Sequence, residues 1–354
     1  MQAQDVKNVF CMKGGQGESS YLKNSKAQLR DLQMMLYALE ETLDKIAIPP
    51  RGPGRLLLTA ADLGCSCGRS SLVVADAIVQ HMTKLCRGRG KHVDAVAAAD
   101  PEFWFYFSDL PSNDFNTLFS LLPPHAASSG DGSGRRYFAA AVPGSFHDRL
   151  FPERSIDGKV FVQGSSEETG TAYRRQFQSD MARFLRCRAA ELKPGGAMFL
   201  VFVGRPSSAG PTDQGRSLNL LGTMFEESWR DLVDEGLIDG GRMDSFNIPS
   251  YAATLEEFRE SVDADSSFAV NRLEHVMGGR LAVDDDPHDD RCAVGRRVAN
   301  NQQSIFGPLV EAHIGRALAD ELFVRMERRA EELSDELVDE MGVRFHILCS
   351  LSLV

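Results

Sequence analysis

The chain has 354 residues, 43% apolar and 25% charged, enough for one large α/β domain or a core with a cap. A net charge of −11 leaves no basic excess to neutralise phosphates, which argues against general nucleic-acid binding. No apolar run approaches the roughly 18 residues of a membrane span, and seven scattered cysteines, an odd number, make no disulfide framework.

Met1 to Lys7 lacks the apolar core of a signal peptide and the Arg/Ser-rich look of a transit peptide, so a reducing cytoplasm is expected. The Gly-rich stretch Met12 to Tyr21 precedes Leu29, Leu32, Leu36 and Leu39 at helical spacing, which predicts a helix over about 24–45. Asn24 and Ser25 are N-cap types at its start. The glycines read either as a flexible arm or as a lid that turns Tyr21, Ser25 and Gln28 toward a ligand.

The organising stretch follows Pro49-Pro50. Leu56-Leu57-Leu58-Thr59-Ala60-Ala61-Asp62-Leu63-Gly64-Cys65-Ser66-Cys67-Gly68 reads as a buried strand and a tight turn, with a helix over 70–86 behind it. Gly64 and Gly68 let backbone approach a ligand without a Cβ in the way. The spacing is neither G-x-G-x-x-G nor a Gly-Lys-Ser/Thr phosphate loop. It suits a ribose and a sulfonium better than a pyrophosphate, which suggests S-adenosylmethionine; a plain core strand–turn–helix is the alternative. Cys65-Ser66-Cys67 has no second Cys/His pair nearby, so zinc is not expected.

Arg87-Gly88-Arg89-Gly90-Lys91 reads as a solvated loop. Phe103 to Leu110 is an aromatic strand ending in Asp109, placed to accept from ribose hydroxyls or to cap a following helix. Tyr137 to Val142 reads as the third strand, followed by the Pro143-Gly144-Ser145-Phe146 loop, where Phe146 stacks on an adenine or fills the core. A helix over 171–192 and a buried strand, Ala197 to Val203, come next. Beyond Arg205 the alternation fails. Helices near 216–235 and 254–261, a strand at 268–276, an acidic loop at 284–290, helices near 296–315 and 319–340, and a last strand, Arg344 to Leu351, are expected. The acidic loop lacks the Gly and Glu of a calcium-binding EF-hand.

Together these pieces resemble the plant SABATH family of carboxyl methyltransferases over nearly the whole chain. The matching motifs are Met12-Lys13-Gly14-Gly15 through Ser20-Tyr21, Asn24-Ser25 and Gln28, then Ala61 to Ser66 and Asp109 to Asn116. Val142 to His147, Phe184 to Arg188 and Phe246-Asn247-Ile248-Pro249 complete the set. The resemblance implies an α/β class I methyltransferase (Rossmann-like) sheet with an α-helical cap. It divides the chain into a lid and donor-binding core at 1–205, a cap at 206–315 and a C-terminal helix and strand at 316–354.

The resemblance also implies that S-adenosylmethionine is held by Tyr21, Cys65, Asp109, Leu110, Ser145 and Phe146, with Ser25 and Asp62 nearby. Ser70 stands where an asparagine is common in the family. Lys13 and Gln28 would face the acceptor, Gln28 donating to its carboxylate, with His147 bordering the site. Leu221 and Gly222 replace the isoleucine and tryptophan of salicylate-type members, which makes room for a larger ring. Gly222 packing two helices closely is the alternative. Tyr251 and Phe345 would line the pocket, with Gln302 beside them, and indole-3-acetate is the first-choice acceptor, ahead of jasmonate, salicylate, benzoate or farnesoate. Asp244, the Phe246 backbone and Asn247 would form a magnesium site, and the family suggests a homodimer acting on a small acid, with no nucleic acid or membrane partner.

One departure stands out. The family continues after Phe151-Pro152 with a fourth core strand and a loop whose tryptophan holds the acceptor carboxylate. Here the chain runs into Gly158-Lys159-Val160-Phe161-Val162-Gln163-Gly164, and its only tryptophans are Trp104 and Trp229. Either Val160 to Val162 substitutes for that strand or the sheet has a central gap, with catalysis impaired. A catalytically inactive paralogue that binds the donor or dimerises is therefore the competing hypothesis. A nicotinamide-dependent oxidoreductase would need the G-x-G-x-x-G the chain lacks.

Overall fold

β1 (Leu57–Leu63), β2 (Glu102–Asp109) and β3 (Phe138–Pro143) form a parallel sheet in the order β1-β2-β3, with Leu63 opposite Ser108. This is a computed structural model that describes residues 10–48, 55–88, 100–126, 134–148, 167–210, 213–246, 248, 251–278, 290–340 and 344–354. A second sheet has the order β4-β6-β5, from β4 (Ala197–Gly204), β5 (Phe268–Met277) and β6 (Phe345–Leu353), all antiparallel.

Helices cover both faces. The short α1 (Tyr21–Asn24) leads into α2 (Lys26–Leu43), which packs beside α3 (Ser70–Gly88). Met35, Leu39 and Leu43 of α2 and Val79 and Met82 of α3 share a core with Phe103, Phe105, Phe199 and Val201. On the opposite face lie α5 (Glu167–Glu191) and α8 (Leu255–Asp265), after the short α4 (Phe115–Ser120). There Phe177, Leu185 and Phe258 pack against Leu63, Leu200, Phe202 and Ile347. Each core touches β1 and β4 alike, so the two sheets are halves of one doubly wound layer.

Between the halves is a slot. Residues 58–63 of β1 line one side of it, and Ala197, Phe199, Val201 and Val203 of β4 line the other. Among the described residues no strand pairs with the second edge of either. The substitute strand considered at Val160 to Val162 lies outside the described residues.

A third core belongs to α6 (Arg216–Asp234), α9 (Arg291–Ile314) and α10 (Arg316–Glu332), with the short α7 (Gly240–Asp244) and α11 (Ser334–Glu340) beside them. Two boundaries expected from sequence change. β5 is a strand of the sheet rather than part of the cap, and α10 packs in the cap core rather than with the C-terminal strand. Asp290 caps α9 by accepting from the Ala293 N–H, so the helix begins at Arg291, five residues before the expected start. Arg87 and Gly88 end α3 and Arg87 pairs with Asp100, while Arg89, Gly90 and Lys91 of the loop expected there lie outside the described residues. Among the described residues no helix is long and apolar enough to cross a membrane.

Candidate active site

The turn after β1 is built from strained backbone and small side chains. Gly64 has φ +85°, which lets the N–H groups of Gly64 and Cys65 both donate to Ser108 O at the end of β2. Ser66, at φ +50°, aims its own N–H at Asp109 Oδ2, 2.7 Å away. Asp109 Oδ1 accepts from the Leu110 N–H at 2.8 Å, and its backbone carbonyl accepts from Gly144 N–H in the loop after β3. One residue thus ties three strand ends together. Burial pushes the Asp109 carboxyl upward, while the two N–H donors pull it back. Asp109 does not cap the next helix; Asp114 does, accepting from the Thr117 N–H.

Asp62 faces the same space, and burial pushes its carboxyl up to about 6, against the lowering effect of the Ser71 hydroxyl. Tyr21 is desolvated enough to stay un-ionised well above its ordinary range. The glycines of the N-terminal stretch serve close packing. A Cβ on Gly14 would meet Asp114 Cβ at 2.5 Å, and the Gly15 N–H donates to Asp114 Oδ2 at 2.8 Å. A Cβ on Gly68 would meet Ser25 Oγ and the Tyr21 ring at 3.1 Å, so the arm lies across the turn.

The loop after β3 is fastened from behind. Arg188 donates to Phe146 O and Asp148 O while pairing with Glu191 at 2.9 Å, and both side chains are fully buried. Phe146 meets Phe184 edge to face and its ring lies 3.8 Å from a Cβ position on Gly64, so it packs and lines the site together.

A cavity of about 1280 Å³ joins these parts. Of the expected donor contacts, Tyr21, Asp62, Cys65, Ser70, Asp109, Leu110, Ser145 and Phe146 line it; Ser25 is buried behind Gly68 instead. Ser70 Oγ is buried there without a hydrogen-bond partner. Of the expected acceptor contacts, Gln28, His147, Leu221, Gly222 and Gln302 line it. A Cβ on Gly222 would meet nothing within 4 Å, so close helix packing does not explain that glycine.

Three expected acceptor contacts lie off the wall. Lys13 turns away and donates from Nζ to Ser19 Oγ at 2.7 Å, leaving its neighbour Met12 on the cavity. Tyr251 is 2% exposed, donates to Glu257 and lies under the Arg205 guanidinium. Phe345 packs against His275 on the far side of β6, and its neighbours Arg344 and His346 face the cavity. Sequence reading missed these two and Asp31, which pairs with Arg344 and lies 3.5 Å from His346; the spacing of Asp31 three residues after Gln28 on one helix was the available signal.

The expected magnesium ligands are only partly among the described residues. Asp244 is an exposed carboxylate, Phe246 lines the cavity, and Asn247 lies outside the described residues. Among the described residues no three His, Cys, Asp or Glu side chains converge to hold a metal. The donor end does fit a ribonucleoside: a fixed carboxylate, small turn residues and an aromatic ring meet at one sheet edge.

The profile of the SAM dependent carboxyl methyltransferases matches residues 7–158 and 157–353, two pieces that meet near residue 158. Indole-3-acetate O-methyltransferase 1 of Oryza sativa subsp. japonica is 48% identical over 98% of this chain and 93% of its own length. The Arabidopsis thaliana protein of the same name is 44% identical over 98% and 96%. Both alignments span 387 positions, more than the chain's 354 residues, so the relatives carry residues this chain lacks. A loganic acid methyltransferase solved with SAH superposes with a TM-score of 0.82 at 25% identity, covering 97% of this chain and 98% of that one. The chain belongs to the family of S-adenosylmethionine-dependent carboxyl methyltransferases.

Proposed function

We propose that the chain methylates the carboxylate of indole-3-acetate, giving the methyl ester. The observation that carries this reading is the difference among relatives. The two indole-3-acetate enzymes are 48% and 44% identical, against 31% for a gibberellic acid methyltransferase and 32% for a jasmonate methyltransferase, both of Arabidopsis thaliana. The open space at Gly222 supports it, since an indole is larger than a single benzene ring.

S-adenosylmethionine, when bound, supplies an electrophilic methyl carbon on a sulfonium. Asp109 would accept from the ribose hydroxyls, with Tyr21, Asp62, Cys65, Ser70, Leu110, Ser145 and Phe146, which line the same cavity, around the rest of the donor. Gln28 would donate its amide N–H to the acceptor carboxylate, with His147, Leu221 and Gly222 along the acceptor. A carboxylic acid of ordinary pKa is ionised at pH 7, so no general base is needed and His147 has only to border the site. The apolar side chains Phe225, Phe246 and Ile305 of the cavity wall would help to exclude water from the reacting oxygen. The expectation of a cytoplasmic homodimer belongs to this reading and rests on composition and family resemblance.

The slot beside β1 and the absent tryptophan loop favour one second reading, a protein that binds the donor and turns over slowly or not at all. Methyl transfer from labelled donor to indole-3-acetate, jasmonate, salicylate and benzoate, run beside calorimetry with S-adenosylhomocysteine, separates the two. Turnover with indole-3-acetate first among the acids supports the proposal. Tight S-adenosylhomocysteine binding with no turnover on any acid favours the second reading.

A further inference from the structure

The acceptor of a carboxyl methyltransferase is an anion, and the cavity that must receive it is acidic. Asp31, Asp62, Asp109, Asp180 and Glu226 all line it, and Arg344 is the one Lys or Arg among the described lining residues. Coulomb repulsion from those carboxylates disfavours a desolvated acid unless a cation offsets it.

Arg344 is held for that role. It precedes β6, its carbonyl accepts from the Gly278 N–H at 2.8 Å, and its Nη2 lies 2.5 Å from Asp31 Oδ2. Both side chains are nearly buried, at 10% and 2% exposure. The chain narrows on this cluster from β5 too, since a Cβ on Gly278 would sit 2.7 Å from the His346 ring and 3.0 Å from Asp31 Oδ1. Asp31 lies one helical turn beyond Gln28 on α2, and residues three apart share a helix face. Gln28 and Asp31 therefore share one face of α2, and both line the cavity together with Arg344. Arg344 also acts electrostatically on the Tyr21 hydroxyl, which lines the donor end.

We infer that Arg344, positioned by Asp31, binds the carboxylate of the acceptor acid beside Gln28, in place of the tryptophan that this chain lacks. A guanidinium is planar and matches a carboxylate in a two-point contact, and it stays charged at any working pH. His346 packs against the same aspartate and is neutral at pH 7, so it adds no competing charge. The inference deepens the proposed function but needs only a carboxylic acid, whichever acid that is.

The test uses the full chain and four acids, indole-3-acetate, jasmonate, salicylate and benzoate, each beside its primary amide. Wild type is expected to bind the preferred acid over its amide by roughly tenfold or more, the worth of a charge-assisted contact. The double variant Asp31→Asn/Arg344→Gln removes the ion pair without leaving either charge buried alone. It should keep S-adenosylhomocysteine affinity within about twofold while the acid-over-amide preference falls toward one. Arg344→Lys, which keeps a charge for Asp31, should retain the preference and raise KM for the acid several-fold, because the two-point geometry is lost. An unchanged preference in a double variant that still binds S-adenosylhomocysteine overturns the inference. Should the double variant fail to bind it, an unchanged KM in Arg344→Lys does the same. If wild type binds none of the acids, the acid-methylating reading falls first and the inference with it.

Discussion

The backbone N–H of Ser66 donates to Asp109 Oδ2 at 2.7 Å, joining the turn after β1 to the last residue of β2. That bond fixes where the carboxylate points before any ligand arrives. Asp109→Ala removes both the tie and the proposed acceptor for the ribose diol, and we predict that Kd for S-adenosylhomocysteine rises on the order of 100-fold. Asp109→Asn keeps one acceptor oxygen and should fall between the two. Calorimetric titration of the three proteins checks the order, and undiminished affinity in the alanine variant would remove Asp109 from the donor site.

Arg188 and Glu191 make a pair from which water is excluded, and Arg188 also holds the carbonyls of Phe146 and Asp148. Arg188→Met strands the Glu191 carboxylate in the core, which should cost about 3–5 kcal/mol in denaturant unfolding. Replacing both by Met should restore most of that stability. It should not restore donor affinity, because the loop carrying Ser145 and Phe146 has still lost its donors. Stability and affinity recovering together would show that the loop needs no such anchor.

The elements that were legible in the sequence are those whose contacts are local. Leu57 to Asp62, the Gly64 turn and α3 follow one another in the chain and fold on one another, and Asp109 was legible as a strand-end carboxylate because such residues sit at a fixed place in this architecture. Phase was harder to read. A strand alternates faces, so a one-residue slip exchanged Phe345 for Arg344 and His346 on the cavity wall. Tyr251 looked available until Glu257 and Arg205, brought by α8 and β4, occupied its hydroxyl and ring. The assignment of β5 to the sheet depends on an antiparallel partner, β6, some seventy residues later, and no local pattern announces that pairing.

Gly222 opens into the cavity, with nothing within 4 Å of its missing Cβ. Gly222→Trp should therefore fold and place an indole where the proposed acceptor ring lies. We predict that kcat/KM for indole-3-acetate drops by about two orders of magnitude while benzoate, with its smaller ring, loses less than about tenfold. Paired assays on the two acids check this. Equal losses on both would place the acceptor elsewhere in the cavity.

The slot between β1 and β4 makes a prediction about packing. Ala60 lines it, whereas Ala75 of α3 is fully buried in the adjoining core and has no such space. Ala60→Leu adds apolar surface that the slot can accept and should raise the unfolding free energy by about 1 kcal/mol. Ala75→Leu overfills a packed core and should lower it by about 1–3 kcal/mol. Denaturant melts of both variants test the contrast, and loss of stability in each would mean that the slot is closed in solution.

His346 sits beside Asp31 and Arg344, 5% exposed, and burial followed by the Arg344 charge lowers its pKa from the ordinary 6.5 to about 4. The Asp31 carboxylate, 3.5 Å from Nε2, is committed to Arg344 and does not reverse that shift. The folded protein thus keeps His346 neutral while the unfolded chain takes up a proton below pH 6.5. Stability from this group is fully present above 6.5 and is lost as pH falls toward 4, an effect on the order of 3 kcal/mol. His346→Gln has no proton to bind in either state, so the difference between wild-type and variant unfolding free energies should slope across that window and flatten above it. A difference that is flat from pH 7 to pH 4 would mean that His346 is solvated, and with it the wall that positions Arg344.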